Sequence, residues 1–277
     1  MKLICGERSL DLGVPQVMGI LNATPDSFSD GGQFNSLENA LSHARLMVNQ
    51  GATIIDVGGE STRPGAVPVP VQQELDRVIP VIEQIRDQLD VCISLDSSAP
   101  EVFLEAKKAG AHMINDVRAL QREGALSAAK QTGLPVCLMH MQGEPTNMQD
   151  NPCYQQIISD VYDFFVSRVQ ACQDAGIRRD QIILDPGFGF GKTLDDNYTL
   201  LAQLARFHTL DLPLLIGLSR KSMIAGVLNN APVDKRVLGS VAGAVIAAMN
   251  GAKIIRVHDV QETVEALKVV QAAQAQL

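Results

Sequence analysis

The sequence predicts an α/β fold of the (β/α)8 (TIM) barrel type, and three observations lead to this prediction. Eight short apolar runs each end on a polar or charged residue, and a segment with helical spacing follows each run. The runs are apolar throughout, which suits parallel strands that are buried on both faces. The length of 277 residues is close to the ~250 residues of a typical barrel, so one domain over residues 1–277 is expected.

The predicted strands can be given in chain order by each apolar run and the residue that ends it. In a barrel all strands end at the same face, so these polar residues are expected to converge on one mouth. The runs and their closing residues are Val17 to Leu21 with Asn22, Thr53 to Ile55 with Asp56, Cys92 to Leu95 with Asp96, His112 to Ile114 with Asn115, Val136 to Met139 with His140, Ile182 to Leu184 with Asp185, Leu214 to Leu218 with Ser219, and Ile254 to Ile255 with Arg256.

The segments outside the strands complete the predicted barrel. Lys2 to Leu12 places a Gly6-Glu7-Arg8 turn between two apolar pieces, which predicts a short N-terminal β-hairpin that closes the barrel floor. The first two helices have apolar stripes that are expected to pack on the barrel. These stripes are Leu37, Ala40, Leu41, Ala44, Met47 and Val48 in the first helix, and Leu75, Val78, Ile79, Ile82 and Ile85 in the second.

Composition and charge restrict the class of protein. The chain is 46% hydrophobic and 19% charged, which predicts a globular protein with a large core. The formal net charge of -8 argues against nucleic acid as a partner, because phosphate backbones are bound by clustered basic residues. The longest weakly polar stretch, Val237 to Ala252, is shorter than the roughly 18 residues of a membrane span. We therefore expect no membrane partner, and a buried or subunit-interface helix at this stretch.

The cysteines and the N-terminal residues bear on the compartment. The five cysteines are scattered and form no C-x-x-C pair, which favours reduced thiols over disulfides or zinc. The apolar run Leu3 to Cys5 is far shorter than the central segment of a signal peptide. A cytoplasmic location is therefore expected.

Two long, turn-rich loops are predicted at the mouth, and loops of this length are usually functional. The first, from Asn22 to Ser36, is dense in hydroxyls and carboxylates, and is as compatible with a capped surface loop as with a binding site. The second, from Val57 to Pro70, favours ligand contact. Its paired glycines allow close backbone approach, and Arg63 offers a planar fork for phosphate oxygens.

The segment from Asp185 to Thr193 ends like a phosphate-binding P-loop, but Pro186 stands where that motif requires its first glycine. Two interpretations remain open for this segment. One is a tight turn, and the other is a flexible wall in which Phe188 or Phe190 covers a flat ligand.

Cations and carboxylates at the strand ends predict two kinds of ligand contact. The segments Ser219-Arg220-Lys221-Ser222 and Arg256-Val257-His258 place cations where barrels commonly hold phosphate, which favours a phosphate or pyrophosphate site. Asp96, Asn115 and Asp185 either satisfy one another or bind a donor-rich ligand such as an aminated heterocycle, and their strand-end position favours the ligand. The histidines lack zinc-like spacing, so at most Mg²⁺ shared with phosphate oxygens is expected.

Four motifs together resemble the bacterial dihydropteroate synthases. They are Asn22-Ala-Thr-Pro-Asp-Ser-Phe-Ser-Asp-Gly-Gly32, Gly59-Glu-Ser-Thr-Arg-Pro-Gly65, Asp185-Pro-Gly-Phe-Gly-Phe-Gly-Lys192 and Ser219-Arg-Lys221. The resemblance spans almost the whole chain and implies a transferase of folate biosynthesis that is the target of sulfonamides. The implied reaction condenses 6-hydroxymethyl-7,8-dihydropterin pyrophosphate with p-aminobenzoate, releasing pyrophosphate, by a substitution of SN1 type.

The resemblance also implies a role for each matching residue. The pterin contacts would be Asp96, Asn115, Asp185, Lys221 and Arg256; the pyrophosphate contacts, with Mg²⁺, would be Asn22, Arg63, Arg256 and His258; and the p-aminobenzoate contacts would be Phe28, Thr62, Pro64, Phe190, Ser219 and Lys221. The implied catalytic residues are Arg63, Lys221, Arg256 and His258, and the implied metal ligand is Asn22.

Two other functions are compatible with a pterin-binding barrel. A pterin-dependent methyltransferase shares the fold and the pterin pocket but has little use for a pyrophosphate cradle, so the loop around Arg63 and the Ser219-Arg-Lys221 segment argue against it. A non-catalytic pterin-binding barrel would lack the loop residues, which are present here. The small-residue helix Gly239 to Met249 and the family resemblance together favour a homodimer.

Overall fold

The computed structural model describes residues 1–23, 32–61, 65–66 and 68–276, of which residues 32–36 are described by their backbone alone. Its main sheet consists of eight parallel strands, which are β3 (Gln16–Asn22), β4 (Ile54–Gly58), β5 (Cys92–Asp96), β6 (Met113–Asp116), β7 (Val136–Met139), β8 (Ile182–Asp185), β9 (Leu215–Ile216) and β10 (Ile254–Val257). Their spatial order is β8-β7-β6-β5-β4-β3-β10-β9.

The two ends of this sheet meet, which closes the barrel. A parallel bridge joins Leu184 at the end of β8 to Leu214, and the Leu184 amide donates to the Pro213 carbonyl at 3.0 Å. The predicted (β/α)8 barrel is thus confirmed. Several strands differ from the prediction in length. β9 keeps only two residues of its apolar run, β4 continues to Gly58, and β10 continues through Arg256, which pairs with Met18 of β3.

Helices follow the strands and cover the outside of the barrel. The outward-facing strand residues and the inner faces of the helices form one large apolar cluster, which includes Ile55, Val78, Ile82 and Phe103. The helices are α1 (Gly32–Asn49), α2 (Val71–Gln88), α3 (Pro100–Ala109), α4 (Ala125–Thr132), α5 (Ile157–Asp174), α6 (Leu194–Ala202), α7 (Ser222–Val227), α8 (Val237–Met249) and α9 (Val260–Gln274). Within the described ranges, no helix has both the length and the apolar character of a membrane span.

The N-terminal hairpin seals the end of the barrel opposite the mouth, as predicted. It pairs β1 (Lys2–Cys5) with β2 (Arg8–Asp11) in antiparallel register. Four hairpin side chains and eight side chains from the beginnings of the strands form a second buried cluster, which we call the floor cluster. Its members are Leu3, Cys5, Leu10, Leu12, Met18, Ile54, Cys92, Met113, Cys137, Ile183, Leu215 and Ile254. The interior is therefore packed from below, and only its upper layer is available for chemistry.

Candidate active site at the barrel mouth

Strand alternation explains why polar side chains occupy the upper layer of the interior. Successive side chains of a strand point to opposite faces, so a residue two positions after a floor-cluster residue also points inward. Ile54 is thus followed by Asp56, Met113 by Asn115, Ile183 by Asp185, and Ile254 by Arg256; Asp96 lies two such steps above Cys92. The carboxyl ends of five strands therefore place these groups together at the mouth.

Arg256 is the centre of this layer. Its Nε lies 2.6 Å from Oδ2 of Asp56, and its Nη2 lies 2.7 Å from Oδ2 of Asp96. Asn115 donates from Nδ2 to the same Asp56 oxygen at 3.1 Å. The structure thus brings Asp96, Asn115 and Arg256 together as predicted, and adds Asp56, which carries no assigned role in the sequence prediction.

These groups satisfy one another only in part. Oδ1 of Asp56 and the hydroxyl of Ser94 are both buried, and neither has a hydrogen-bond partner among the described residues. A buried polar atom without a partner costs about 1–3 kcal/mol, a cost that a bound ligand with suitable donors removes. The geometry therefore favours a donor-rich ligand over a closed polar core.

Burial and like charge alter the titration of this layer. Burial raises the pKa of Asp96 to about 7, the neighbouring carboxylate of Asp56 also raises it, and Arg256 opposes this shift. Burial acts to lower the pKa of the Arg256 guanidinium, but Asp56 and Asp96 outweigh it and raise that pKa. One guanidinium thus faces two carboxylates and stays charged, while Asp96 takes up a proton near neutral pH.

We predict a pH-dependent stability from Asp96. Its pKa is higher in the folded protein than the usual 3.8, so its contribution to stability is complete below about pH 4 and is lost as the pH rises through about 7. Asp96→Asn fixes the neutral form and removes this dependence. The stability of the unmodified protein relative to Asp96→Asn should therefore fall between about pH 4 and 7, as measured by urea unfolding. A constant difference over that window would contradict the shift.

Asp185 and Lys221 flank the cluster. Asp185 is buried, which raises its pKa, and its Oδ1 accepts a hydrogen bond from the Gly187 amide at 2.7 Å. Lys221 donates from Nζ to the Phe188 carbonyl at 2.6 Å and lies 4.3 Å from the centroid of the Phe190 ring. Burial lowers the pKa of Lys221 to about 8, against the effect of Asp185. The ammonium is thus held at the rim, between a carbonyl and an aromatic face.

The structure decides between the two interpretations of the segment from Asp185 to Thr193. Phe188 is fully buried in the outer core, so it does not cover the mouth. Phe190 packs with Val117, Met139 and Met148 in a small cluster of its own. The segment is thus a packed turn whose Phe190 ring contributes to the site wall. Lys192, which gives the segment its likeness to a P-loop, points inward to neutral acceptors and not toward an anion.

The cations of the last two strands divide into two groups. Ser219 and His258 are brought together, with Oγ 3.1 Å from Nδ1, and the His258 amide donates to the same hydroxyl at 3.2 Å. Arg220, however, forms a bidentate ion pair with Asp259, at 3.0 Å from Nε and 2.5 Å from Nη2. Two of the Arg220 donors are therefore engaged by a buried carboxylate, and its place among the phosphate-binding cations stays a prediction.

Several predicted site residues lie at or beyond the edge of the described structure. Asn22 is the last residue of β3 and is half-buried. Phe28, Thr62, Arg63 and Pro64 lie outside the described residues. Within the described part of the chain, no group of three or more His, Cys, Asp or Glu side chains is arranged to hold a metal ion.

Sequence reasoning missed Asp56 as a site residue, although a signal was present. Asp56 ends the second apolar run just as Asp96 ends the third. In the ladder between β4 and β5, Asp96 pairs with Gly58, two positions beyond Asp56. The two side chains therefore project into the barrel from adjacent strands at successive levels, where one guanidinium can reach both.

Comparisons with known proteins agree with this geometry. A family model described as "Pterin binding enzyme" matches residues 18–258. The dihydropteroate synthase of Escherichia coli (strain K12) is 61% identical over 272 residues, which cover 98% of this chain and 96% of that protein.

Solved structures extend the similarity to the whole fold. The crystal structure of the Yersinia pestis dihydropteroate synthase with a sulfonamide drug complex has a TM-score of 0.95 and 57% identity, covering 99% of this chain and 100% of that chain. The Xanthomonas albilineans dihydropteroate synthase with 4-aminobenzoic acid has a TM-score of 0.94 and 49% identity, covering 99% of this chain and 98% of that chain. With this similarity over nearly its full length and a mouth lined by the predicted pterin contacts, the chain belongs to the dihydropteroate synthase family of pterin-binding enzymes.

Proposed function

We propose that the barrel mouth carries out the dihydropteroate synthase reaction of folate biosynthesis through the residues described above. In this reaction 6-hydroxymethyl-7,8-dihydropterin pyrophosphate and p-aminobenzoate give 7,8-dihydropteroate and pyrophosphate. The observation that carries the assignment is the Arg256 ion-pair cluster with Asp56 and Asp96, which leaves a buried acceptor atom without a partner among the described residues.

The pterin is expected to bind in the upper layer of the barrel. Its amino group and ring N–H groups are donors, and Asp96, Asn115 and Asp185 supply acceptors at three strand ends. Lys221 supplies a donor to the ring carbonyl or a ring nitrogen. Arg256 lies flat against the ring, since a planar guanidinium stacks on conjugated rings.

The pyrophosphate is expected to lie above Arg256, in contact with Asn22, Arg63 and His258. Arg256 would then touch both the ring and the anion. Ser219 holds the His258 ring through its hydroxyl, at 3.1 Å from Nδ1, which orients the imidazole. Negative charge that develops on the leaving pyrophosphate is therefore met by groups already in place, which is electrostatic preorganisation.

Mg²⁺ fits this site as an ion shared with the substrate. Asn22 is the last residue of β3 and is half-buried at the mouth, so its side-chain oxygen is a candidate ligand. A single neutral oxygen suits Mg²⁺, which commonly takes most of its ligands from water and substrate phosphates. Bound at Asn22 with pyrophosphate oxygens, the ion would supply additional positive charge toward the leaving group.

The p-aminobenzoate pocket is expected where Phe190, Ser219 and Lys221 meet the two long loops, with Phe28, Thr62 and Pro64 completing it. The similar Yersinia pestis and Xanthomonas albilineans proteins bind a sulfonamide drug and 4-aminobenzoic acid. We extend both ligand classes to this chain. Phe190 and the Lys221 stem offer apolar surface to the aromatic ring, and the Lys221 ammonium offers a donor to the carboxylate.

The charges of the site indicate the order of bond changes. The dihydropterin stabilises positive charge at its methylene carbon, so the bond from that carbon to the pyrophosphate oxygen breaks first, and oxygen keeps the electron pair. The amine nitrogen of p-aminobenzoate then attacks the carbon and releases a proton. An arylamine is neutral and nucleophilic at pH 7, so no general base is assigned, and Arg63, Lys221, Arg256 and His258 act by charge and position.

The decisive assay follows pyrophosphate release from dihydropterin pyrophosphate with Mg²⁺, with and without p-aminobenzoate, together with pteroate formation. Coupled release and pteroate formation are expected. Folded protein that binds pterin but forms no pteroate would contradict the assignment, and would favour a methyltransferase or a non-catalytic pterin-binding barrel.

We also infer a homodimer and a cytoplasmic location. One face of α8 packs on the barrel through small residues, while Leu238, Ile246 and Met249 on the opposite face are exposed, Leu238 by 85%. Exposed apolar stripes of this kind mark interfaces, and a second copy of this chain is the occupant we propose. Light scattering that shows a monomer at micromolar concentration would contradict it.

The five cysteines are unpaired, which is compatible with a reducing compartment.

A further inference from the structure

Lys192 is a buried residue to which the proposed reaction assigns no role. Its side chain is only 4% exposed. Nζ lies 2.9 Å from the Gly187 carbonyl, 2.9 Å from the Phe190 carbonyl and 3.3 Å from the His140 carbonyl, and it lies 3.0 Å from Nδ1 of His140. Among the described residues, no carboxylate oxygen is within hydrogen-bonding distance of this ammonium. All its acceptors are neutral, and three of them are backbone carbonyls.

The loop whose carbonyls accept hydrogen bonds from Lys192 is rich in glycine, so its own sequence restricts its backbone conformation only weakly. Gly187, Gly189 and Gly191 alternate along it, each with positive φ, at +68°, +79° and +59°. A Cβ atom at Gly187 would lie 1.9 Å from the His140 carbonyl oxygen, so the loop rests directly on the end of β7. Glycines allow this approach but lose the most conformational entropy on ordering. The ammonium offsets that cost by joining two carbonyls of the loop to one at the end of β7.

The same loop fixes the two groups that flank the pterin position. The Gly187 amide donates to Asp185 at 2.7 Å. The Phe188 carbonyl accepts from Lys221 at 2.6 Å, and the Phe190 ring lies under the Lys221 ammonium. Lys192 therefore binds the carbonyls of Gly187 and Phe190, the loop residues that contact Asp185 and Lys221, although its own Nζ is buried behind the loop.

His140 completes the arrangement from β7. Burial and the adjacent Lys192 charge lower the pKa of His140 to about 2, so its ring stays neutral, and Nδ1 accepts from Lys192 in the tautomer that carries its proton on Nε2. The His140 ring is packed edge-on against Phe164, with ring centroids 4.9 Å apart. The partner of the ammonium is thus itself held rigidly.

We propose that Lys192 is a positioning residue for the reaction: its ammonium holds the Gly187–Gly191 loop in the conformation that presents the Phe188 carbonyl and the Phe190 ring to Lys221. This inference rests on the proposed role of Lys221 in ligand binding. It assigns the last residue of the Asp185–Lys192 motif a function that its likeness to a P-loop does not indicate, because Lys192 binds backbone and not phosphate.

The test uses Lys192→Met, which keeps the length of the side chain and removes its donors. The readout is the equilibrium affinity for 7,8-dihydropteroate, measured by pterin fluorescence, together with kcat and KM for both substrates. Loss of the hydrogen bonds from Nζ predicts a drop in affinity of about 10- to 100-fold, with a higher KM for p-aminobenzoate. The matched control is Lys268→Met on the exposed face of α9, which should behave as the unmodified protein.

A double-mutant cycle separates positioning from a merely structural role. Lys192→Met is also made in the Lys221→Met background, where the proposed pathway is already interrupted. If Lys192 positions Lys221, Lys192→Met should lower the dihydropteroate affinity by no more than about threefold in the Lys221→Met background. An equal loss of affinity in both backgrounds would overturn the proposal. Unchanged affinity in Lys192→Met alone would overturn it as well.

Two further results distinguish a failure of the Lys221 role from a failure of the Lys192 role. If Lys221→Met alone leaves the dihydropteroate affinity unchanged, the proposed role of Lys221 fails first, and this failure is distinct from that of Lys192. If Lys192→Met does not fold, Lys192→Gln keeps two N–H donors and is expected to fold with an intermediate affinity. A Lys192→Gln protein that also fails to fold would assign Lys192 to structure alone and overturn the inference.

Discussion

Arg256→Ala is expected to lower kcat/KM by about two to four orders of magnitude, the largest effect predicted for a described side chain. The change removes both ion pairs, at 2.6 and 2.7 Å, and leaves Asp56 and Asp96 buried without a cation. Removing one partner of a buried ion pair costs about 3–5 kcal/mol, so the protein is destabilised too. The contacts proposed from Arg256 to the pterin ring and to pyrophosphate disappear together with the ion pairs.

The measurement separates lost chemistry from lost folding. Steady-state kinetics are taken at a temperature where circular dichroism shows Arg256→Ala to be folded, and urea unfolding gives the stability change. Arg206→Ala, which removes an exposed guanidinium, is the control and should retain full activity. Arg256→Lys keeps the charge but not the fork, and is expected to recover stability more than activity. Near-normal kinetics in Arg256→Ala would remove this residue from the site.

Asp56→Asn is expected to lower kcat/KM by about 10- to 100-fold, although Asp56 carries no role in the sequence prediction. The change removes the charge that holds Nε of Arg256, so the guanidinium is free to turn toward Asp96. It also alters the atom whose partner is absent among the described residues, Oδ1. Stability should change less than in Arg256→Ala, because Arg256 and Asp96 remain as a balanced pair.

A second readout makes the Asp56 prediction specific. The Asp56 carboxylate raises the pKa of Asp96, so Asp56→Asn should move the pH-dependent stability assigned to Asp96 to lower pH. Urea unfolding across the acid range, compared with the exposed control Asp180→Asn, measures this shift. An unmoved pH profile together with unchanged kcat/KM would show that Asp56 neither couples to Asp96 nor positions Arg256.

The parts of the site that sequence predicts well are those that periodicity determines. Strand alternation and the polar residue closing each run are local features, so Asp96, Asn115 and Asp185 could be placed at the mouth without coordinates. The same pattern contains Asp56. The role of Asp56 depends on its contact with Arg256, which extends from β10 across the barrel interior. No local sequence pattern indicates this contact.

Side-chain direction was less predictable than strand position. Arg220 and Lys192 both stand in motifs whose chemistry resembles anion binding, yet each is committed to other partners. Arg220 pairs with Asp259, 39 residues later, and Lys192 donates back to His140, 52 residues earlier. Both pairings depend on which strand ends are adjacent in space, and this adjacency is set by the closed barrel. The packing of the N-terminal hairpin against the barrel floor was predictable, because its apolar residues match the apolar beginnings of the strands.

The Arg256 cluster joins parts of the chain that are far apart in sequence. Its two ion pairs join residues that are 200 and 160 positions apart, and the arginine belongs to β10, the last barrel strand in chain order. Contacts of such separation form late, since the entropy of closing the intervening chain must be overcome first. Until β10 docks, the nascent barrel holds two inward carboxylates without their counter-ion. Ligand affinity is then a property of the closed barrel alone, and a molecule that bridges these residues would stabilise the closed barrel selectively over forms in which β10 is not docked.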